Sequence, residues 1–370
     1  MGPPLMVTRI LCRILPARRR GWSALRIALA MSPFEGVAIS GQPGPTRASN
    51  AGTATLALLM PLAIATFGLS LAAARQPQSP DGSFVTPIVA PPLGAQEKIA
   101  LGQLLFKDSR LSRSRNYSCA SCHDLATNGA SAFARDRGDS GHPMRFNTPT
   151  VFNAGESFRL GWEGRSRNLR AFTQRTLADV HLMGAGDLAA RRLSQDRAVA
   201  ARFRAIYAGP PSGDHIADAL AAYMETLVTP DAPFDRWRRG DRSALSAQQQ
   251  RGLARFRELG CASCHQGRNV GANLMQRRGI FHPLGRSGPA LLRVPSLRNV
   301  AVTAPYFHDG AVSSLPEAIR QMGRAQLDLT IAEQDVEDIA AFLGVLTGTY
   351  QGRSLTSAKP AQPAKPVAAR

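Results

Sequence analysis

Cysteine is scarce in this 370-residue chain: there are five, and Cys12 stands far from the other four. So few thiols exclude a disulfide-built scaffold, which needs a denser supply to stand in for a hydrophobic core. Strand patterning is missing as well. No run alternates β-branched or aromatic residues with polar ones between turn signals, so the body reads as all-α. Acidic residues are outnumbered, 26 against 45 lysines and arginines, for a net charge of +19. Seven arginines and one glutamate before residue 75 account for +6 of it, leaving about +13 on the remainder. That charge reads as solvated surface, with an acidic protein partner as the alternative. Its basic residues are scattered and no nucleic-acid motif accompanies them, so no nucleic-acid partner is expected.

What the chain does have is one short motif twice. Cys119-Ala120-Ser121-Cys122-His123 returns 142 residues later as Cys261-Ala262-Ser263-Cys264-His265. C-x-x-C-H is the attachment signature of c-type haem. Two thiols on one helical turn reach the two vinyl groups of a porphyrin, and the next residue offers its imidazole to the iron. A zinc ribbon spaces its cysteine pairs by about 15–20 residues, and a redox dithiol needs no histidine behind it. The expectation is two covalently bound haem c groups, tethered by Cys119, Cys122, Cys261 and Cys264, with His123 and His265 on the irons.

Haem c is attached outside the bacterial cytoplasm, so an export signal is expected. The one long apolar run, residues 54–74, is uncharged, follows Arg47 and ends in Ala72-Ala73-Ala74, an A-x-A-like cleavage pattern. Cleavage near residue 74 and a periplasmic protein are expected. A membrane anchor through residues 54–74 is the alternative, since the run is about long enough to span a bilayer. Arg18, Arg19, Arg20, Arg26 and Arg47 favour a cytoplasmic N-terminus under either reading. Residues 1–50 exceed a usual signal n-region, with Met31 an alternative initiator.

The chain divides into an extension with signal peptide or anchor at 1–74, an N-terminal haem domain at 75–232, a C-terminal haem domain at 233–353 and a disordered tail at 354–370. Such a length suffices for two cores. Helices are expected over 95–106, 168–180 and 194–207, from an Asp214 cap to Val228, and behind the Ser246-x-x-Gln249 capping box. Two more are expected over 315–322 and from Thr330-x-x-Glu333 onward. Thr229-Pro230-Asp231-Ala232-Pro233 reads as the domain boundary, and 125–150 and 266–304 read as loops.

Distal ligands decide what a haem does. Two strong protein ligands make an electron carrier, whereas an open face admits peroxide or oxygen. Met322 is the candidate for the second haem, or else core filler. His142, in a Gly-His-Pro loop, suits a removable ligand or is simply exposed. His308 is a ligand or a hydrogen-bonding group near a propionate. Trp162 is core or a relay between the haems.

Longer stretches carry a resemblance: Leu101-Gly102-Gln103-Leu104-Leu105-Phe106, Asn147-Thr148-Pro149-Thr150-Val151-Phe152-Asn153, Trp162-Glu163-Gly164-Arg165 and Glu225-Thr226-Leu227-Val228-Thr229-Pro230. Pro295-Ser296-Leu297-Arg298-Asn299-Val300 and Thr303-Ala304-Pro305-Tyr306-Phe307-His308-Asp309-Gly310 continue it. With the two haem motifs, they resemble the bacterial dihaem cytochrome c peroxidases, whose superfamily also holds the dihaem protein of methylamine utilisation. The likeness runs from about Pro87 to Gly348. It implies two cytochrome c-like domains and reduction of hydrogen peroxide to water with electrons from a cytochrome c or a cupredoxin. It implies a low-potential, peroxidatic haem on His123, with His142 as a distal ligand that leaves when the other haem is reduced. It implies a high-potential haem on His265 and Met322, and Trp162 between the two. Asn147 with the carbonyls of Thr303 and Pro305 matches an inter-domain calcium site. Family members are often homodimers.

One position departs. The family places an acid–base glutamate before a Met-Gly pair; in Val180-His181-Leu182-Met183-Gly184 that place holds Leu182, which moves no proton. His181 is the candidate substitute, since imidazole titrates near neutral pH; Asp179 and Asp187 are further ones. Two other readings stay open. One is an oxidase of the methylamine-utilisation type that modifies tryptophan or tyrosine on a partner protein, although that protein has tyrosine where Met322 stands. The other is a dihaem electron carrier with both irons closed.

Overall fold

The computed structural model describes residues 84–90, 94–285 and 287–355, all within one unit of the chain, 73–370. Cys12, the apolar run at 54–74 and the tail beyond residue 355 lie outside the described residues. Among these the helices are α1 (Gln96–Phe106), α2 (Leu169–Ala178), α3 (Asp187–Ser194), α4 (Arg197–Tyr207), α5 (Gly213–Glu225), α6 (Pro233–Arg238), α7 (Ala247–Glu258), α8 (Leu315–Leu327) and α9 (Glu333–Gly344). No described helix is long and apolar enough to cross a membrane.

Short polar side chains set the helix starts by accepting from otherwise free N–H groups. Asn168 Oδ1 accepts from Ala171 N at 2.8 Å, ahead of α2. The Ser246–Gln249 box is reciprocal, with Ser246 N donating to Gln249 Oε1 at 2.8 Å. Several expectations are corrected. The stretch 194–207 is not one helix, because Asp196 accepts from Ala198 N and Val199 N and starts α4 afresh. Ser212, not Asp214, caps α5 by accepting from His215 N at 3.1 Å; Asp214 sits in the first turn, where its charge suits the helix N-terminus. α9 begins at Glu333 without a side-chain cap, and that carboxylate instead pairs with Arg320 of α8. α8 itself continues more than a turn beyond Met322.

Two antiparallel hairpins correct the strand-free expectation: β1 (Met275–Arg277) with β2 (Leu291–Arg293), and β3 (Thr349–Tyr350) with β4 (Arg353–Ser354). Strands of two or three residues are too short to display an alternation, so only tertiary pairing reveals them.

One helix crossing is built twice, 150 residues apart. In α1, Gly102 lies so close to α5 that a Cβ there would overlap the carbonyl oxygen of Ala219. In α7, Gly252 meets α9 the same way at the carbonyl of Asp338. Four residues on, Phe106 meets Tyr223 with ring centroids 5.5 Å apart, and Phe256 meets Phe342 at 5.4 Å. Hydrogen in place of a side chain lets the two backbones touch, which a larger residue would prevent. Most buried apolar side chains gather in two large clusters, beside a small one of Leu160, Leu169 and Ala221. One includes Leu101, Phe106, Phe203, Leu220 and Leu227; the other includes Phe234, Phe256, Ile339 and Phe342. The two ends of the described stretch are exchanged between them: Val85 packs in the second and Leu355 in the first.

Gly252→Ala should force α7 and α9 apart and lower stability by about 1–3 kcal/mol, read as an earlier urea midpoint. Gly344→Ala, where nothing lies within 4 Å of the added methyl, should cost nothing. Equal midpoints for the two variants would refute the crossing. Asp338 also accepts from Arg251 Nε at 2.9 Å and Nη2 at 3.2 Å, and this bonding holds its pKa below the usual carboxylate range. The unfolded chain therefore takes up that proton first on acidification. The pair contributes fully above about pH 4 and its contribution is lost as the pH falls further. Asp338→Asn should flatten the acid limb of a stability-versus-pH curve.

Candidate functional site

Each C-x-x-C-H motif opens as a 3₁₀ turn, Cys119–Ser121 and Cys261–Ser263. The turn closes when the histidine N–H donates back to the first cysteine: His123 N to Cys119 O at 2.9 Å, His265 N to Cys261 O at 3.1 Å. Nδ1 of His123 lies 3.0 Å from Gly129 O, and Nδ1 of His265 lies 3.2 Å from Val270 O. A carbonyl only accepts, so Nδ1 carries the proton and Nε2 keeps its lone pair, the tautomer an iron ligand needs. Burial lowers both imidazole pKa values, that of His265 to about 4, so both rings are neutral at pH 7. Burial also raises the thiols, Cys119 and Cys122 to about 12 and Cys261 to about 11. Thiols held protonated are poor redox nucleophiles, so the dithiol reading finds no support. Among the described residues no three His, Cys, Asp or Glu side chains gather as a metal-ion site.

The loops behind the two histidines repeat one bonding scheme. Val151 N donates to the same Gly129 O at 3.0 Å, and Leu297 N to the same Val270 O at 3.3 Å. Thr150 Oγ1 donates to Asn128 O at 2.6 Å, as Ser296 Oγ does to Asn269 O at 2.8 Å. Asn153 and Asn299 then take left-handed backbone, φ 59° and 62°, a conformation asparagine tolerates better than most residues. The Asn153 side chain accepts from Thr229 N at 2.8 Å and that of Asn299 from Gly348 N at 3.1 Å. Both amides also donate to Thr229 Oγ1, at 2.8 and 3.0 Å.

A cavity of about 610 Å³ takes in His123, Trp162, His265, His308 and Met322, within the size range of cofactor sites. Its described lining holds four arginines, Arg277, Arg278, Arg293 and Arg298, and no carboxylate. Arg298 has its own counter-ion, Asp235, through Nη1–Oδ2 at 3.0 Å and Nη2–Oδ1 at 2.9 Å. Arg293 does not. It is buried, its Nε donates to Gly161 O at 3.0 Å, and burial lowers its pKa to about 10. A buried cation with only carbonyl partners costs several kcal/mol unless an anion joins it. Apolar walls, neutral imidazoles, tethering thiols and a guanidinium lacking a carboxylate fit haem, whose edge carries two propionates.

Of the residues expected at the site, the structure brings His123, Trp162, Cys261, Cys264, His265, Met322, Asn147, Thr303 and Pro305 to this one cavity, while Cys119 and Cys122 are not among its lining residues. Trp162 Nε1 donates to Asn147 O at 2.8 Å, and Asn147 N donates to His308 O at 2.8 Å. The Asn147 amide nitrogen is used on Phe133 O and Ala134 O, which leaves Oδ1 as its acceptor. His308 is buried 6.3 Å, centroid to centroid, from Trp162, and its Nε2 is engaged by Ser287 O at 2.6 Å. His142 and His181 are not among the cavity's lining residues. Both are exposed, on neighbouring loops joined by Asp139 N donating to Leu182 O at 2.8 Å. Arg293 is not singled out by the sequence, because the burial of a single arginine has no signature in the local pattern.

A family model described as di-haem cytochrome c peroxidase matches residues 96–243. The cytochrome c551 peroxidase of Pseudomonas aeruginosa is 38% identical over 285 residues, covering 71% of this chain and 82% of the relative. That of Nitrosomonas europaea is 34% identical over 264 residues, covering 67% and 79%. The methylamine utilization protein MauG of Methylorubrum extorquens is 33% identical over 277 residues, covering 68% and 78%. Among solved structures, a MauG-like protein associated with microbial copper homeostasis aligns with a TM-score of 0.61 at 25% identity, covering 72% of this chain and 94% of that one.

Arg293→Leu keeps the apolar wall and removes the charge. A buried positive charge favours the electron-rich form of a neighbouring iron centre. The expected outcome is a lowered midpoint potential for one of two haems in a redox titration, with haem content unchanged. Two unshifted potentials would show that this guanidinium does not face a porphyrin.

Proposed function

The chain belongs to the di-haem cytochrome c peroxidase family, and from that premise we propose that it reduces hydrogen peroxide to water in the periplasm, drawing electrons from a small donor protein through two cytochrome c-like haem domains. It is a peroxidase-type oxidoreductase. The observation that carries the finer reading is the pair of neutral imidazoles with free Nε2 atoms on one cavity that also takes in Met322 and Trp162.

Haem, when bound, supplies an iron that takes up electrons singly and delivers them to peroxide. The rest is divided among the chain's own side chains. His265 and Met322 would close both faces of one iron, which suits a carrier, and a thioether ligand raises its potential. His123 would hold the other iron from one side. Trp162, fixed by its N–H to the Asn147 carbonyl and flanked by His308, is positioned as the relay. Asn147 Oδ1 with the carbonyls of Thr303 and Pro305 offers the oxygen donors calcium prefers, and an ion there would brace the residue that holds Trp162.

Turning peroxide into water takes two protons. Leu182 cannot move them; His181 beside it can. In this reading the loops that carry His142 and His181 move as one, since the Asp139–Leu182 bond ties them together. His142 would be the removable ligand and His181 the group that moves protons, and this bond would couple the placement of one to that of the other.

The pyridine haemochrome assay should return two haems per chain. One-electron reduction should convert one haem from low to high spin, and that state should react with peroxide faster than the fully oxidised protein in stopped flow. His181→Ala should slow the peroxide step by about 10²–10⁴-fold while leaving the spin change intact. Unslowed turnover removes His181 from the chemistry. A spectrum that stays low-spin after one-electron reduction, with no reaction towards peroxide, sinks the peroxidase reading.

A further inference from the structure

The His123 side of the cavity has an aromatic path to the surface that the route through Trp162 does not use. Phe152 lines the cavity together with His123. Tyr350 packs against Phe152, with ring centroids 4.7 Å apart and planes tilted by 53°. The Tyr350 hydroxyl is hydrogen-bonded to Tyr223 and accepts from Gln351 Nε2 at 3.4 Å. Tyr223 is buried beneath it and meets Phe106 edge-on.

This contact is made by a segment far away in sequence. Tyr350 lies on the β3–β4 hairpin, and Leu355 just after it is buried in the first hydrophobic cluster. The end of the described chain is thus folded back against the half that carries His123. It sets one phenol a single ring away from the cavity, with its edge half-exposed to solvent. A phenol yields an electron readily only when its proton can leave as well. Tyr350 offers both: an electron acceptor site behind Phe152, and a phenol on a half-exposed residue whose hydroxyl is bonded by the exposed Gln351.

We propose that Tyr350, backed by Tyr223, is a surface oxidation site from which the His123 side draws electrons when no donor protein supplies them. The proposal rests on the peroxidase reading. Peroxide needs two electrons and two protons to become two waters. Two Tyr350 phenols on two chains supply them, one electron and one proton from each, and each proton is released to water. The two phenoxyl radicals then join through a new ring carbon–carbon bond, a dityrosine, so that the sum is one peroxide and two tyrosines giving dityrosine and two waters.

The test uses holoprotein mixed with a small excess of hydrogen peroxide in the absence of donor. Samples are frozen for electron paramagnetic resonance and digested for peptide mass spectrometry. Wild type should give a tyrosyl radical signal and dityrosine at the Tyr350 peptide. Tyr350→Phe keeps a ring against Phe152 and should lose both, while donor-supported peroxide consumption stays at the wild-type rate. Tyr207→Phe serves as control and should retain the signal, since the Tyr207 hydroxyl donates to Asp218 at 2.9 Å and the residue is not part of the cavity lining. An undiminished radical in Tyr350→Phe, or oxidation mapped to another residue, overturns the proposal while leaving the peroxidase reading standing. Wild type that consumes no peroxide even with a donor would remove both.

Discussion

Two backbone carbonyls, Gly129 O and Val270 O, determine what the histidines of this protein can do. Each accepts the Nδ1 proton of its imidazole and so presents a neutral Nε2 lone pair to the cavity. Without that acceptor the ring is free to turn or to adopt the other tautomer, and the metal-binding nitrogen is no longer aimed. The carbonyls are themselves fixed, since each accepts a second bond from a loop N–H, Val151 N or Leu297 N. The orientation of each imidazole is therefore built into backbone rather than left to side-chain packing alone.

That backbone is held in turn by features repeated in both halves. Gly102 and Gly252 let paired helices touch in each half. The two loops then converge on one hydroxyl, Thr229 Oγ1, through Asn153 and Asn299. Individual hydrogen bonds of this kind contribute only about 0.5–1.5 kcal/mol, but these are buried, and losing one partner would strand the others. The geometry on one side of Thr229 is tied to the geometry on the other, which suits a protein whose proposed work is passing electrons between two centres.

Charge in the cavity is one-sided. Arg293 is buried against carbonyls with no acidic partner in the cavity lining, a cost that the carboxylates of a haem bound there would offset. The neutral imidazoles and protonated thiols follow the same logic. They avoid charge in an apolar space until the cofactor supplies the chemistry that uses them. Arg298 and Asp235, by contrast, neutralise each other and serve the fold, with Arg298 also donating to Thr86 O and Arg268 O.

Much of this was legible in advance. Haem tethering is written within five consecutive residues, because thioether bonds and the proximal imidazole come from one turn of chain. Capping boxes and apolar stripes located most helices for the same reason: their causes lie within about four residues. Helix starts were misplaced where two polar residues competed for one cap, as Ser212 and Asp214 did. What only the tertiary structure decided was which histidines reach the cavity, which arginine is buried there without a carboxylate, and that Tyr350 returns to the first half. His142 and His181 look as suitable as His308 when read singly, yet of the three only His308 is buried on the cavity. Burial and hydrogen-bond partners arise from contacts such as Arg293 with Gly161, 132 positions apart, and local pattern has no means of recording an encounter at that distance.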